Sequence, residues 1–172
     1  MKKVLCIVMV LMLLSGCGMF NTKDVKKEPL IFSGFNAVVT TEINDITISG
    51  NAEYSADDSL KFEFIQPETV KGATVLCCDG EYKIQFHDIS VSFPSEKLSF
   101  NMICRAIETC VNNVQGKTPE IDGQSKMLVY SYTADNHLCQ LYVESETKYF
   151  VKLTVDGVDT LSFENFQYIT TG

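Results

Sequence analysis

Thiols, imidazoles and paired carboxylates are the groups in this 172-residue chain that could do chemistry. Five cysteines follow residue 17: Cys77, Cys78, Cys104, Cys110 and Cys139. None of their spacings matches a zinc-ligand pattern. Cys77-Cys78 is vicinal and strained as a disulfide. Cys104 and Cys110 are six apart on a predicted helix and are expected to point to different faces. The five read as mostly buried, free thiols packing as small apolar side chains, with room for one bridge. His87 precedes Asp88, and His137 follows Asp135-Asn136. Neighbouring strand residues face opposite ways, so neither pair sets up a general base. Asp57-Asp58 and Asp135-Asn136 read as solvated turns, not cation sites. Arg105, the single Arg, is expected to face solvent. No Gly-x-Ser-x-Gly and no Gly-rich phosphate loop occurs. The expectation is a non-enzyme without cofactor or metal.

Cys17 is a different case. Lys2 and Lys3 form a basic head, Val4 to Leu14 is apolar, and Leu14-Ser15-Gly16-Cys17 follows. Basic, apolar, then small residues is the layout of a secretory signal peptide. The apolar run is far short of the about 20 residues that span a bilayer. With Cys at the cut site, the segment resembles a bacterial lipoprotein signal, the lipobox. That resemblance implies a diacylglyceryl group on the Cys17 thiol, carrying fatty-acyl chains such as palmitate, and cleavage before it. Two acyl chains give stable anchoring where one does not. The expected location is the extracytoplasmic face of the cell membrane. Gly18 gives no retention signal, and the Lys, Asn, Ile and Phe usage favours a Gram-positive host.

Loss of residues 1–16 removes Lys2 and Lys3 from the 14 basic residues, leaving 12 against 22 acidic, a net charge of −10. Such a balance excludes a nucleic-acid footprint. It also opposes adhesion to anionic lipid, which needs clustered Lys and Arg. Lys23, Lys26 and Lys27 are the one basic cluster, inside a polar stretch without period. Residues 17–30 therefore read as the lipidated Cys and a flexible tether, and residues 31–172 as one domain.

Within the domain, strand signals come first. Phe35 to Val39, Ile46 to Ile48 and Ala52 to Ser55 alternate, with turns at Asn44-Asp45 and Asp57-Asp58 and an interruption at Gly50-Asn51. Leu60, Phe62 and Phe64 share one face. Thr74 to Cys78 and Tyr82 to Phe86 flank the Asp79-Gly80 turn. Ile89, Val91 and Phe93 follow, stopped by Pro94. From Leu98 to Val114 the period becomes helical through Phe100, Ile103, Ile107, Cys110, Val111 and Val114. Ser95 suits the N-cap, and Gly116 with Pro119 ends the helix. Met127 to Thr133, Leu138 to Val143, Tyr149 to Val155 and Val158 to Phe166 are strands again. Tight turns require antiparallel pairing, and accumulated twist curls so long a sheet. The predicted fold is mainly β (α+β): a curved antiparallel sheet forming an unclosed half-barrel, with one amphipathic helix in its concave side. The expected lining of the hollow is Leu60, Phe62, Phe64, Tyr82, Ile84, Phe86, Tyr149, Val151 and Leu153.

Two segments carry a family likeness. Leu60-Lys61-Phe62-Glu63-Phe64 runs to Pro67, and Cys78-Asp79-Gly80-Glu81-Tyr82-Lys83-Ile84 follows. Near the end, Asp156-Gly157 leads to Leu161-Ser162-Phe163-Glu164-Asn165-Phe166. In pattern and order of elements, residues 35–168 resemble the LolA/LolB-like lipoprotein-carrier superfamily. The resemblance implies an unclosed β-barrel covered by helices, with an apolar cavity for acyl chains. Its carrier member uses several helices, whereas this chain shows one. Two readings follow. In the first, the half-barrel holds a lipid, lipopeptide or other amphiphile. In the second, the helix fills the hollow and the protein is a structural or protein-interaction lipoprotein of the cell envelope, with partners the sequence does not name.

Overall fold

A computed structural model describes residues 26–94 and 103–169. Cys17, Ser95, Glu96 and Phe100 lie outside the described residues. The strands are β1 (Phe35–Ile43), β2 (Ile46–Tyr54), β3 (Leu60–Gln66), β4 (Thr74–Cys78), β5 (Glu81–Phe86) and β6 (Ile89–Pro94). Helix α1 (Ile103–Val114) follows, then β7 (Glu120–Ile121), β8 (Leu128–Ala134), β9 (His137–Val143), β10 (Phe150–Val155) and β11 (Val158–Tyr168). A 3-10 turn at Glu68–Val70 links β3 to β4.

All strands join one antiparallel sheet in the order β6-β5-β4-β3-β2-β1-β11-β10-β9-β8-β7. Each half is a meander, and the halves meet where the first strand pairs with the last. The sheet does not close: β6 is one edge and β7 the other. Short turns carry the reversals. Asn44, Asp45, Asp79, Asp135, Asn136 and Asp156 take the left-handed conformation that two-residue hairpin loops demand. Asn and Asp tolerate it better than most residues, because their short polar side chains hydrogen-bond locally.

Curvature comes from bulges, which add a residue to one strand and sharpen its twist. The register slips between Ser49 and Gly50, between Asn36 and Val38, and twice along β10. In β11 the Glu164-Asn165 pair turns outward together, with Asn165 at φ 52°. Phe163 and Phe166 can then both face the core.

Helix α1 closes the concave face. Ile103, Ala106, Ile107, Cys110, Val111 and Val114 recur at the helical period and are all buried, and Cys104 widens the stripe. Both Cys104 and Cys110 point inward, contrary to the expectation of different faces. With seven of twelve residues buried, the covered arc is wide enough for both. The helix stops at Gly116, at φ 72°, whose N–H donates to the Leu30 carbonyl at 2.7 Å. Leu30 in turn donates to the Lys117 carbonyl. Leu30 is buried and belongs to the packed chain. An aromatic cluster fixes this segment to the sheet: Phe32 meets Phe150 edge-on at 5.5 Å, and Phe35 stacks on Phe166 at 5.0 Å.

Gly50 does not interrupt β2, which runs unbroken to Tyr54. Its missing side chain is what admits Phe62. A Cβ there would lie 2.5 Å from the Phe62 ring and 2.6 Å from the Glu63 carbonyl oxygen. Overpacking of this kind costs about 1–3 kcal/mol, and Gly50→Ala should lower the urea midpoint accordingly. An unchanged midpoint would show that β2 and β3 part freely at this point.

Candidate functional site

The concave face was the expected hollow, and its residues divide. Leu60, Phe62, Tyr82 and Leu153 are fully buried in one continuous core with the α1 stripe. Phe64 and Ile84 pack against that core half-buried, and Phe86 is partly covered. Tyr149 and Val151 depart from the expected alternation. β10 carries a bulge between Phe150 and Lys152, which puts Phe150 rather than its neighbours into the core. Tyr149 precedes the strand and is 38% exposed, with its ring 5.5 Å from Phe166. An alternating run gives no sign of a bulge, so Phe150 was not legible as the buried member.

Two surface recesses lie on the face away from α1. The larger, about 390 Å³, is lined by Asn36, Asn51, Glu53, Lys61, Glu63 and Gln167 among others. The smaller, about 220 Å³, lies among Glu120, Asp122, Gln140 and Tyr142. Both are open and polar, not acyl-sized pockets with apolar walls.

One polar constellation sits under the helix. The Tyr82 hydroxyl donates to Glu108 Oε2 at 2.5 Å, and Arg105 Nη1 donates to the same oxygen at 3.1 Å. Arg105 therefore folds back over its own helix turn instead of pointing freely into solvent. Burial pushes the Tyr82 phenol far above its usual range, and the Glu108 carboxylate adds to the effect. Tyr82 is thus a fixed donor, not a titrating acid. Cys77 lies beside this group, its thiol raised to about 11 mainly by burial. Burial likewise raises Cys104 and Cys110 to about 12. Thiols held in this state are poor nucleophiles. The five described cysteines are free thiols, and only Cys78 is exposed.

Both histidines lie at hairpin turns. His137 Nδ1 is 2.6 Å from Asp156 Oδ2, across two hairpin turns, and both side chains are about half exposed. This contact, helped by the Leu138 N–H, holds the Asp156 carboxyl below its usual range. His87 sits in a turn with its ring 4.2 Å from Phe86. Asp57 and Asp58 are engaged by Ser59 and Tyr54. No group of His, Cys, Asp and Glu suited to a metal ion occurs among the described residues. None of their helices is long and apolar enough to cross a membrane.

No protein-family model matches the chain, and no curated protein matches it in sequence. Solved structures do resemble it. An uncharacterized conserved protein from Thermus thermophilus aligns at TM-score 0.52 and 11% identity, over 81% of each chain. A structure of the CwlD amidase from Clostridioides difficile in complex with the GerS lipoprotein aligns at 0.48 and 19%, over 78% of this chain and 84% of that one. The LolA superfamily protein NE2245 from Nitrosomonas europaea aligns at 0.44 and 9%, over 85% and 90%. The first of these shows a shared fold and says nothing of activity.

Two outcomes test this site. Tyr82→Phe leaves the Glu108 carboxylate with one fewer donor, and a hydrogen bond to a charged group contributes about 1.5–3 kcal/mol. Urea denaturation should register that loss, and no loss would mean that water replaces the phenol at no cost. Thiol titration of the folded domain should find one fast group, Cys78. The other four should react only on unfolding, so a second fast thiol would show that the core opens.

Proposed function

We propose that the protein is a lipid-anchored, extracytoplasmic, non-enzymatic lipoprotein whose half-barrel binds a protein partner. The anchor rests on the Lys2-Lys3 head, the short apolar run and the small residues before Cys17. The choice of a protein over an enclosed lipid rests on one observation: the α1 stripe occupies the concave face, with Phe62, Tyr82 and Leu153 packed against it. Fully buried side chains leave no volume for an acyl chain at that depth.

A second reading has one observation in its favour. Phe64, Ile84 and Phe86 are not fully covered. An amphiphile could lie against them at the uncovered end of the face without entering the core.

Native mass spectrometry of a soluble Cys17→Ala chain separates the two. Binding of a protein predicts no co-purified lipid, and a retained lipid would support the amphiphile. In cells, Cys17→Ala should abolish palmitate labelling, and persistent labelling would remove the anchor from the proposal. Phe62→Ala should cost about 3–5 kcal/mol, as for a ring in a filled core. Phe64→Ala should cost clearly less. Equal, small losses at both positions would mean that the centre is hollow.

A further inference from the structure

Antiparallel register places the turns at Asn44-Asp45, His87-Asp88, Asp135-Asn136 and Asp156-Gly157 at one end of the sheet. The described chain enters at the other end, where Phe35 pairs with Tyr54 and Tyr168. A nine-residue strand such as β1 separates the two ends by about 30 Å.

Most of the large exposed apolar side chains gather at the turn end. Ile43 is 41% exposed, Ile46 53%, Ile89 67%, Val91 54% and Val158 68%. Pairing shows which face they occupy. Val91 lies opposite Ile84, and Ile89 opposite Phe86, in line with the Phe93–Tyr82 pair that enters the core. Ile43 lies opposite Ile46, two steps beyond the pair of Thr41 and Ile48. Val158 lies opposite Val155. All belong to the concave face, past the reach of α1. They line the turn end in two groups, Ile89 and Val91 on β6 beside Phe86, and Ile43, Ile46 and Val158 on β1, β2 and β11.

The rim around these residues is acidic. Asp45, Asp88, Asp135 and Asp156 are all exposed in its turns. Lys71 pairs with Glu68, Lys152 with Asp159 and His137 with Asp156, and the His87 ring lies against Phe86, which leaves Asp45, Asp88 and Asp135 to face a partner. An apolar centre ringed by carboxylates selects its occupant by charge. Anionic lipid is repelled, and so is a second copy presenting the same rim. Single exposed apolar residues are ordinary, but several gathered at one end of a sheet face with a polar rim mark an interaction site.

We infer that the turn end of the concave face docks a partner protein whose surface has an apolar centre and a Lys/Arg rim. This rests on the protein-binding reading above and supplies its surface and partner chemistry. The test uses the full-length protein in its host cell, with a photo-crosslinking amino acid at Ile89, at Val158, or at Asn51 on the opposite face. The first two positions should yield the same protein adduct, and Asn51 should not. Asp45→Asn with Asp88→Lys should reduce the adduct at least tenfold while the thermal midpoint of the purified variant stays unchanged. With the partner purified, binding should weaken as salt rises. A protein adduct from Asn51 alone would overturn this surface yet leave protein binding standing. Lipid adducts alone at Ile89 and Val158 would overturn both. A cross-linked dimer, or an adduct indifferent to charge reversal, would overturn the charge argument and the proposal with it.

Discussion

The architecture depends on one requirement: the apolar side of the sheet must be covered from within the chain. Strands β6 and β7 are consecutive in sequence yet lie at opposite edges. The segment joining them has to cross the concave face, and α1 lies in that segment. Its stripe from Ile103 to Val114 therefore lands on residues from both halves, including Phe62 and Tyr82 on one side and Tyr130 and Leu141 on the other. Covering the two halves with one helix couples them in a single core. Each buried Leu or Phe contributes about 1.5–3 kcal/mol relative to exposure, so neither half is stable with this face in water.

That cover carries polar groups with it, and they are handled unequally. Tyr82, Glu108 and Arg105 satisfy one another at the helix margin. The hydroxyls of Tyr130, Tyr132 and Thr154 are buried without a well-formed hydrogen bond among the described residues. Tyr132 sits beside the Cys110 and Cys139 thiols, weak partners at best. An unpaired buried hydroxyl costs about 1–3 kcal/mol. The β8–β9 side of the core is thus the less favourable of the two, although its apolar packing is as complete.

Much of the fold was legible because its signals are local. Asp79-Gly80 and Asp156-Gly157 specify hairpins from their own backbone preferences, and the helical period from Ile103 to Val114 needs no tertiary information. The misreadings have a common physical origin in close approach and bulging. Gly50 reads as a break until Phe62 is placed over it. Tyr149 and Val151 read as inward until the extra residue in β10 shifts the phase. The candidate hollow shares this dependence on what lies across from a strand. An inward-facing strand pattern is identical whether the volume beyond it holds a ligand or a helix, and only the depth of the α1 stripe separates the two. The exposed Ile89 and Val91 were visible as a strand, but nothing local marks where the helix ceases to cover it.

The seam between β1 and β11 bears on how the chain acquires its shape. The first strand is also the central one, and its second neighbour is the last to be made. A chain emerging N-terminus first can pair β1 through β6 in order, but it cannot shield their inner face until α1 arrives. It cannot join the halves until Tyr168 reaches Phe35. Contacts of such long sequence separation form slowly. The sheet is accordingly complete only when β11 pairs with β1. The chain's solubility until then falls to the charges interleaved on the outer face, Lys61 and Glu63 between the rings of β3 and Lys83 beside Ile84. The same alternation that specifies the sheet thus protects the unfinished chain.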